Sequence, residues 1–183
     1  MTAQRFTRLT LDEMNERQRA VAETILAGPR KSLDGPFSAM LHSPHMAAPL
    51  QEVGAAVRFN THLPAPIREL VIIMVARRWS AQFEWHVHRL HAIEVGLDPA
   101  ICDAVAARRT PDGMSEEEAA VHGFCRELLE SGHVSDEAFA AVERCFGQQG
   151  VVDIIATAGY YTTVSFLLNA DRYPAPPGAT PLD

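Results

Sequence analysis

Residues 68–97 read RELVIIMVARRWSAQFEWHVHRLHAIEVGL and join two helical patterns. The first, Arg68 to Arg78, contains seven consecutive apolar residues, Leu70 to Ala76. A helix apolar on every side is a buried helix, and this one carries Glu69 in what reads as its first turn. Ser80 offers an N-cap for the second helix, and Gly96 offers the C′ glycine that ends it. On that second helix Glu84, His88 and His91 follow at i, i+4 and i+7. At about 100° per residue they share one stripe with Ala81, Trp85, Ala92 and Val95, while His86 points to the other side. A carboxylate and two imidazoles thus lie on one face of a largely apolar helix, next to a second carboxylate on a buried one.

A buried carboxylate costs several kcal/mol unless it is paired. Glutamate beside histidine in an apolar setting handles protons, because each shifts the other's pKa and imidazole titrates near neutrality. The same pair can equally be a satisfied core contact with no chemistry.

On the N-terminal side, Thr10 with Glu13 reads as a capping box for a helix from Leu11 that stops before Gly28-Pro29. Lys31 to Pro36 is a turn and Phe37 to His42 a short helix. Ala48 to Phe59 is a longer helix with Pro49 in its first turn. The prolines of Asn60 to Pro66 set up the start of the Glu69 helix. On the C-terminal side, Asp98-Pro99 opens a short helix, Ala100 to Ala107. Ser115 with Glu118 caps a helix from Glu116 to Glu130 with Val121, Phe124, Cys125 and Leu128 inward, and Ser135 caps Asp136 to Cys145. Gly147 to Gly150 separates that from a last helix, Val151 to Ala170, whose uncharged run Ile154 to Ala170 is 17 residues. A membrane span needs about 20 mainly apolar residues, so a central or interfacial helix is expected. The Pro-rich tail, 174–183, is expected to be disordered or laid on a neighbouring subunit.

The fold class is therefore all-α: a single-domain helical bundle over residues 1–173, with C-terminal helices within 115–170. Sixteen Lys and Arg against 23 Asp and Glu give a net charge of −7, without a basic sequence cluster, so nucleic acid is not an expected partner. Cys102, Cys125 and Cys145 are widely spaced, neither a disulfide framework nor a metal knuckle, and suit a cytoplasmic protein. No secretory signal, phosphate loop or nucleophile elbow is apparent in the sequence.

The order Arg68-Glu69-Leu70, apolar helix to Ala76-Arg77, Glu84-Trp85-x-x-His88, Gly96-Leu97 resembles the signature of the carboxymuconolactone decarboxylase family, which includes the alkylhydroperoxidase D proteins. Gly35 to Pro44 resembles that family's lead-in, and Gly159-Tyr160-Tyr161 with Leu168-Asn169-Ala170 a later element. The likeness is strongest over about 35–100. Redox members carry Cys-x-x-Cys, with histidine four residues after the second cysteine and glutamate twelve before the first. Those positions here are Ala81, Glu84, His88 and Glu69: the proton-relay pair matches and both thiols are absent. The dithiol cycle needs a thiolate, so this branch is expected not to run it.

The resemblance implies the alkylhydroperoxidase D-like fold, assembly as a trimer or hexamer, and a lyase of aromatic degradation removing CO2 from a small carboxylated lactone or keto acid. His88 is then the acid/base, Glu69 its buried partner and Glu84 a second polar group. Trp85, His91 and Tyr160 are pocket residues, and Arg68 or Arg77 counters the substrate's charge. No cofactor, metal or membrane partner is expected. The alternatives are hydroperoxide reduction, a non-catalytic oligomeric binding protein, and a metal site of Glu69, Glu84, His88 and His91. The last lacks di-iron Glu-x-x-His spacing, since Val87 stands three after Glu84.

Overall fold

The computed structural model describes residues 3–183. Eight helices follow in order: α1 Glu16–Ala27, α2 Pro36–Met40, α3 Pro44–Phe59, α4 Ala65–Arg78, α5 Gln82–Glu94, α6 Pro99–Ala106, α7 Glu116–Ser131 and α8 Asp136–Asp171. No strand occurs among the described residues.

Helix α4 is the axis. Leu70, Val71, Ile72, Ile73, Val75 and Ala76 are wholly buried, as an all-round apolar run demands. Around α4 pack α5, α6, α7 and α8, while α1, α2 and α3 build a second layer against α8 and one another. Pro64 is the N-cap and Pro66 lies in the first turn. Helix α4 starts earlier than the apolar pattern suggests, at Ala65, which moves Glu69 into the second turn.

Several local expectations need correcting. Ser80 does not cap α5: it sits at φ 49° and Ala81 is the N-cap residue, without a side-chain hydrogen bond. Thr10 and Glu13 meet without forming a capping box: the Thr10 amide and hydroxyl both donate to Glu13 Oε2, each at 2.8 Å, around an isolated turn. Helix α1 begins at Glu16, capped by Asn15 in a reciprocal box with Gln18. Helix α3 starts at Pro44, so Pro49 lies inside it rather than in its first turn.

Other signals hold. Gly96 at φ 101° ends α5, with the Leu97 amide donating to the Ala92 carbonyl at 2.9 Å. Ser115–Glu118 caps α7 and Ser135 caps α8. The separation at Gly147 is a break within α8: φ 64°, ψ −179°, a region that glycine alone occupies readily. The break swings Phe146 against Gly150, where a Cβ would lie 2.2 Å from the Phe146 Cβ. An 18-residue window of α8 has mean hydropathy 1.5, enough by length and composition to cross a membrane, yet half of that window is buried inside this chain.

The tail is not free in this chain. It folds back on its own α4–α5 corner, where Gln82 exchanges two hydrogen bonds with Leu182 (2.8 and 3.1 Å). Arg77 Nη1 donates to the Asp183 backbone oxygen at 3.1 Å.

Candidate active site

Helices α4 and α5 lie against each other and bring residues 19 positions apart into contact: His88 Nδ1 is 2.6 Å from Glu69 Oε2. Both side chains are buried, and Arg68 Nε stands 3.5 Å from the other carboxylate oxygen. Burial pushes the Glu69 carboxyl up, but the His88 hydrogen bond, with His88's charge when protonated and the Arg58 and Arg68 guanidiniums, brings it below the ordinary 4.5. Burial dominates His88 and lowers it below 6.5 against the upward pull of Glu69, with Arg58 and His91 also pushing down. Near neutral pH the pair is therefore carboxylate plus neutral imidazole. The carboxylate can only accept, so Nδ1 carries the proton and donates it. Nε2 is left with a free lone pair on a ring that borders a cavity.

That cavity, of about 290 Å³, opens between α5, α8, the end of α3 and the 29–37 segment. Glu84 enters it one turn before His88. Its Oε2 accepts from the Ser165 hydroxyl at 2.8 Å, and its Oε1 is buried without a partner. Burial raises the Glu84 carboxyl well above 4.5, opposed only by that hydrogen bond, which favours its protonated form. The Tyr161 hydroxyl and Arg30 Nε are also buried and unpaired, the Tyr160 hydroxyl lies against the Arg30 guanidinium, and all belong to cavity-lining residues. Arg58 is a second lining guanidinium. Gly54 makes the room for this end: a Cβ there would lie 2.2 Å from the Tyr160 hydroxyl and 2.6 Å from Arg30 Nη2. Buried polar groups are normally satisfied. Such orphans on residues of one lining mark the wall of this cavity as polar. The Phe37 and Phe83 rings and the Val87 and Val164 side chains supply apolar wall.

The structure places Glu84, His88 and Tyr160 on the lining of this cavity, sets Glu69 behind His88 rather than on the lining, and puts four other expected residues elsewhere. Trp85, on the adjacent face of α5, is core, 4% exposed. His91 is half exposed and pairs with Glu94 at 3.2 Å. Arg68 is occupied by Glu69. Arg77 points to the far end of α4, where Nε donates to the Ala106 carbonyl at 2.6 Å. The guanidiniums that do reach the cavity, Arg30 and Arg58, were missed, as were Tyr161 and Ser165. Their one sequence signal is a glutamate at an apolar-face position, which requires a hydrogen-bonding partner somewhere. Among the described residues no group of three or more His, Cys, Asp or Glu is placed to hold a metal ion, so the four-residue metal site is not formed.

Solved structures similar to this chain share its helical arrangement. An uncharacterized peroxidase-related protein with an alkylhydroperoxidase AhpD core, from Ralstonia eutropha JMP134, superposes with TM-score 0.74 over 100% of this chain and 94% of its own, at 17% identity. The fold is alkylhydroperoxidase D-like. A protein of unknown function, ATU0492 from Agrobacterium tumefaciens, provisionally described as an antioxidant defence protein AhpD, matches with TM-score 0.66 over 75% of this chain and 94% of its own, also at 17% identity. No family model and no curated protein matches the sequence. Within this AhpD-like fold no cysteine lines the cavity. Burial lifts the thiols of Cys102 and Cys125 to about 11 and about 12 respectively, and also raises Cys145.

Proposed function

We propose that the protein is an acid/base enzyme acting on a small carboxylated lactone or keto acid, by decarboxylation or a closely related proton transfer. The observation that carries this reading is one cavity lined by the Glu69-oriented His88, the buried Glu84 and the Arg30 and Arg58 guanidiniums. The substrate's carboxylate meets Arg30 and Arg58, with the Tyr160 hydroxyl as a further donor. Breaking the bond to CO2 leaves its electron pair on the substrate as a carbanion or enolate. The proton on Glu84 lies on the wall to quench it, and solvent restores that proton afterwards. Where the substrate must first lose a proton, His88 Nε2 takes it, and Glu69 holds the imidazolium that results. The guanidiniums favour negative charge in the cavity throughout.

A screen of lactones and keto acids against the parent, Glu69→Gln and His88→Ala tests this. Turnover by the parent and background rates in both variants, with melting temperatures retained, support it. Destabilised variants that keep the parental rate would reduce the pair to a core contact.

Hydroperoxide reduction is the second reading, favoured by the peroxidase-related description of the Ralstonia protein. It is tested by turnover of an organic hydroperoxide with a dithiol donor. A rate abolished when Cys102, Cys125 and Cys145 become serine would establish thiol chemistry. A rate that survives would require a thiol-free route. Association into a homo-oligomer belongs to the same proposal, because α8 leaves apolar residues uncovered.

A further inference from the structure

The side of the bundle where α4 ends carries a second cavity, of about 300 Å³, whose lining differs in kind from the first. Five arginines surround it, Arg77, Arg78, Arg108, Arg109 and Arg126, with His122; Glu130 is the single carboxylate of the lining. On a chain of net charge −7 this concentrates nearly a third of the 16 Lys and Arg around one hollow. The convergence is tertiary. Arg77 and Arg78 end α4, Arg108 and Arg109 follow α6, and Arg126 stands inside α7. Arg108 takes φ 54°, which lets the Arg109 amide close onto the Ala104 carbonyl at 2.9 Å and turns the chain at the cavity's rim.

Part of this has a structural explanation. Arginine is favoured at helix C-termini, where the dipole supplies about half a negative charge, and α4 and α6 both end here. Arg77 is committed to the Ala106 carbonyl, Ser80 and Asp183. Arg78 donates to the Leu129 carbonyl at 2.9 Å and its guanidinium lies over the Trp79 ring. Those contacts leave Arg108, Arg109 and Arg126 unexplained. All three are exposed, and none has an ion pair or side-chain hydrogen bond among the described residues. Crowding is evident next to them. Burial lowers Arg77, and Arg108 lowers it further; burial lowers His122, and Arg126 lowers it further. Like charges brought together around a concave surface repel one another unless an anion fills it. Met74, Val105 and Leu129 give the hollow an apolar floor.

We propose that this cavity binds an organic phosphate, with Arg108, Arg109 and Arg126 on the phosphoryl oxygens and the organic part on the floor. Guanidinium suits phosphate because its forked donors reach two oxygens at once. A hollow of this volume admits a phosphorylated metabolite, and the chain's net charge of −7 disfavours a long polyanion. The site is independent of the Glu69–His88 cavity.

The test is calorimetric titration of the full chain with inorganic pyrophosphate, glucose 6-phosphate, anionic phospholipid vesicles and a DNA duplex, each at constant ionic strength. The comparison protein is Arg109→Ala/Arg126→Ala. Both side chains are exposed, so the double variant should melt as the parent does. Saturable binding of pyrophosphate and of glucose 6-phosphate, weakened roughly tenfold or more in the double variant, is the expected result. Equal affinity in both proteins, binding only to vesicles, or binding only to duplex would overturn the proposal. So would loss of self-association in the double variant without loss of phosphate binding, because the arginines would then face a second copy. Arg126→Lys separates recognition from bulk charge: it should still weaken glucose 6-phosphate, because an ammonium cannot reproduce the two-pronged contact. An unchanged affinity would count against the proposed geometry.

Discussion

In the proposed reaction Glu69, Glu84 and His88 carry the chemistry, and their environments push them in different directions. His88 is depressed by burial and must be neutral to act as a base, so activity should fall as pH drops through a value below 6.5. Glu84 is raised by burial and must be protonated to act as an acid, so activity should also fall as pH rises through its elevated pKa. A bell-shaped rate profile is expected, and Glu84→Gln should remove its alkaline limb along with most of its height. His88→Ala should lower turnover about 10²–10⁴-fold. Stability has its own signs. The folded Glu84 holds its proton above 4.5 while the unfolded one does not, so its contribution falls as pH rises from 4.5 towards the folded value. Glu84→Gln should therefore melt higher than the parent at neutral pH, by roughly a few degrees, and a scan of melting temperature against pH will show it. Glu69 and His88 act oppositely: both folded values are lowered, so their stabilisation is lost as pH falls, below about 6.5 for His88 and below about 4.5 for Glu69. At this scale the sequence is partly legible. Glu69, Glu84 and His88 stand out as polar groups at apolar-face positions. Arg30 and Arg58 look like ordinary surface residues until the packing of three segments turns them inward.

Elements were legible where the signal was local. Leu70 to Ala76 could only be a buried helix, and the Ser115, Ser135 and Gly96 signals work through hydrogen bonds within a few residues. Thr10 failed because its amide and hydroxyl both turn to the Glu13 carboxylate and close a single turn, and nothing downstream continued it. Ser80 failed because a left-handed residue can reverse the chain between two helices, which leaves the cap position to Ala81. Two glycines give predictions on helices. Gly54→Ala on α3 should improve intrinsic helix propensity by about 1 kcal/mol but drive the new methyl into the Tyr160 hydroxyl and Arg30. The expected outcome is a raised KM in a folded protein, read by steady-state kinetics beside a melting curve. At Gly147, φ 64° with ψ −179° is a glycine conformation, so Gly147→Ala should destabilise by about 1–3 kcal/mol, read by denaturant titration. A fully retained midpoint would mean that α8 can straighten without loss.

At the scale of the whole molecule, α8 exposes Val152, Ile155 and Phe166, which share a stripe at alternating spacings of three and four with Gly159, Thr162 and Asn169. That is the period of a seam between helices. A second copy is expected to cover it, so Val152→Glu/Ile155→Glu should reduce the mass seen by light scattering while circular dichroism stays helical. A parent that is monomeric at micromolar concentration would count against the seam. The arginine hollow at the end of α4 has a consequence for handling. Adsorption to a charged resin is governed by the local field of one face rather than by the molecular sum. A protein of net charge −7 should bind an anion exchanger at pH 7, as expected, and yet be retarded on heparin-agarose by that single patch. The Arg109→Ala/Arg126→Ala protein should run through the heparin column and elute later from the anion exchanger, a chromatographic fingerprint of charge segregation that needs no ligand at all.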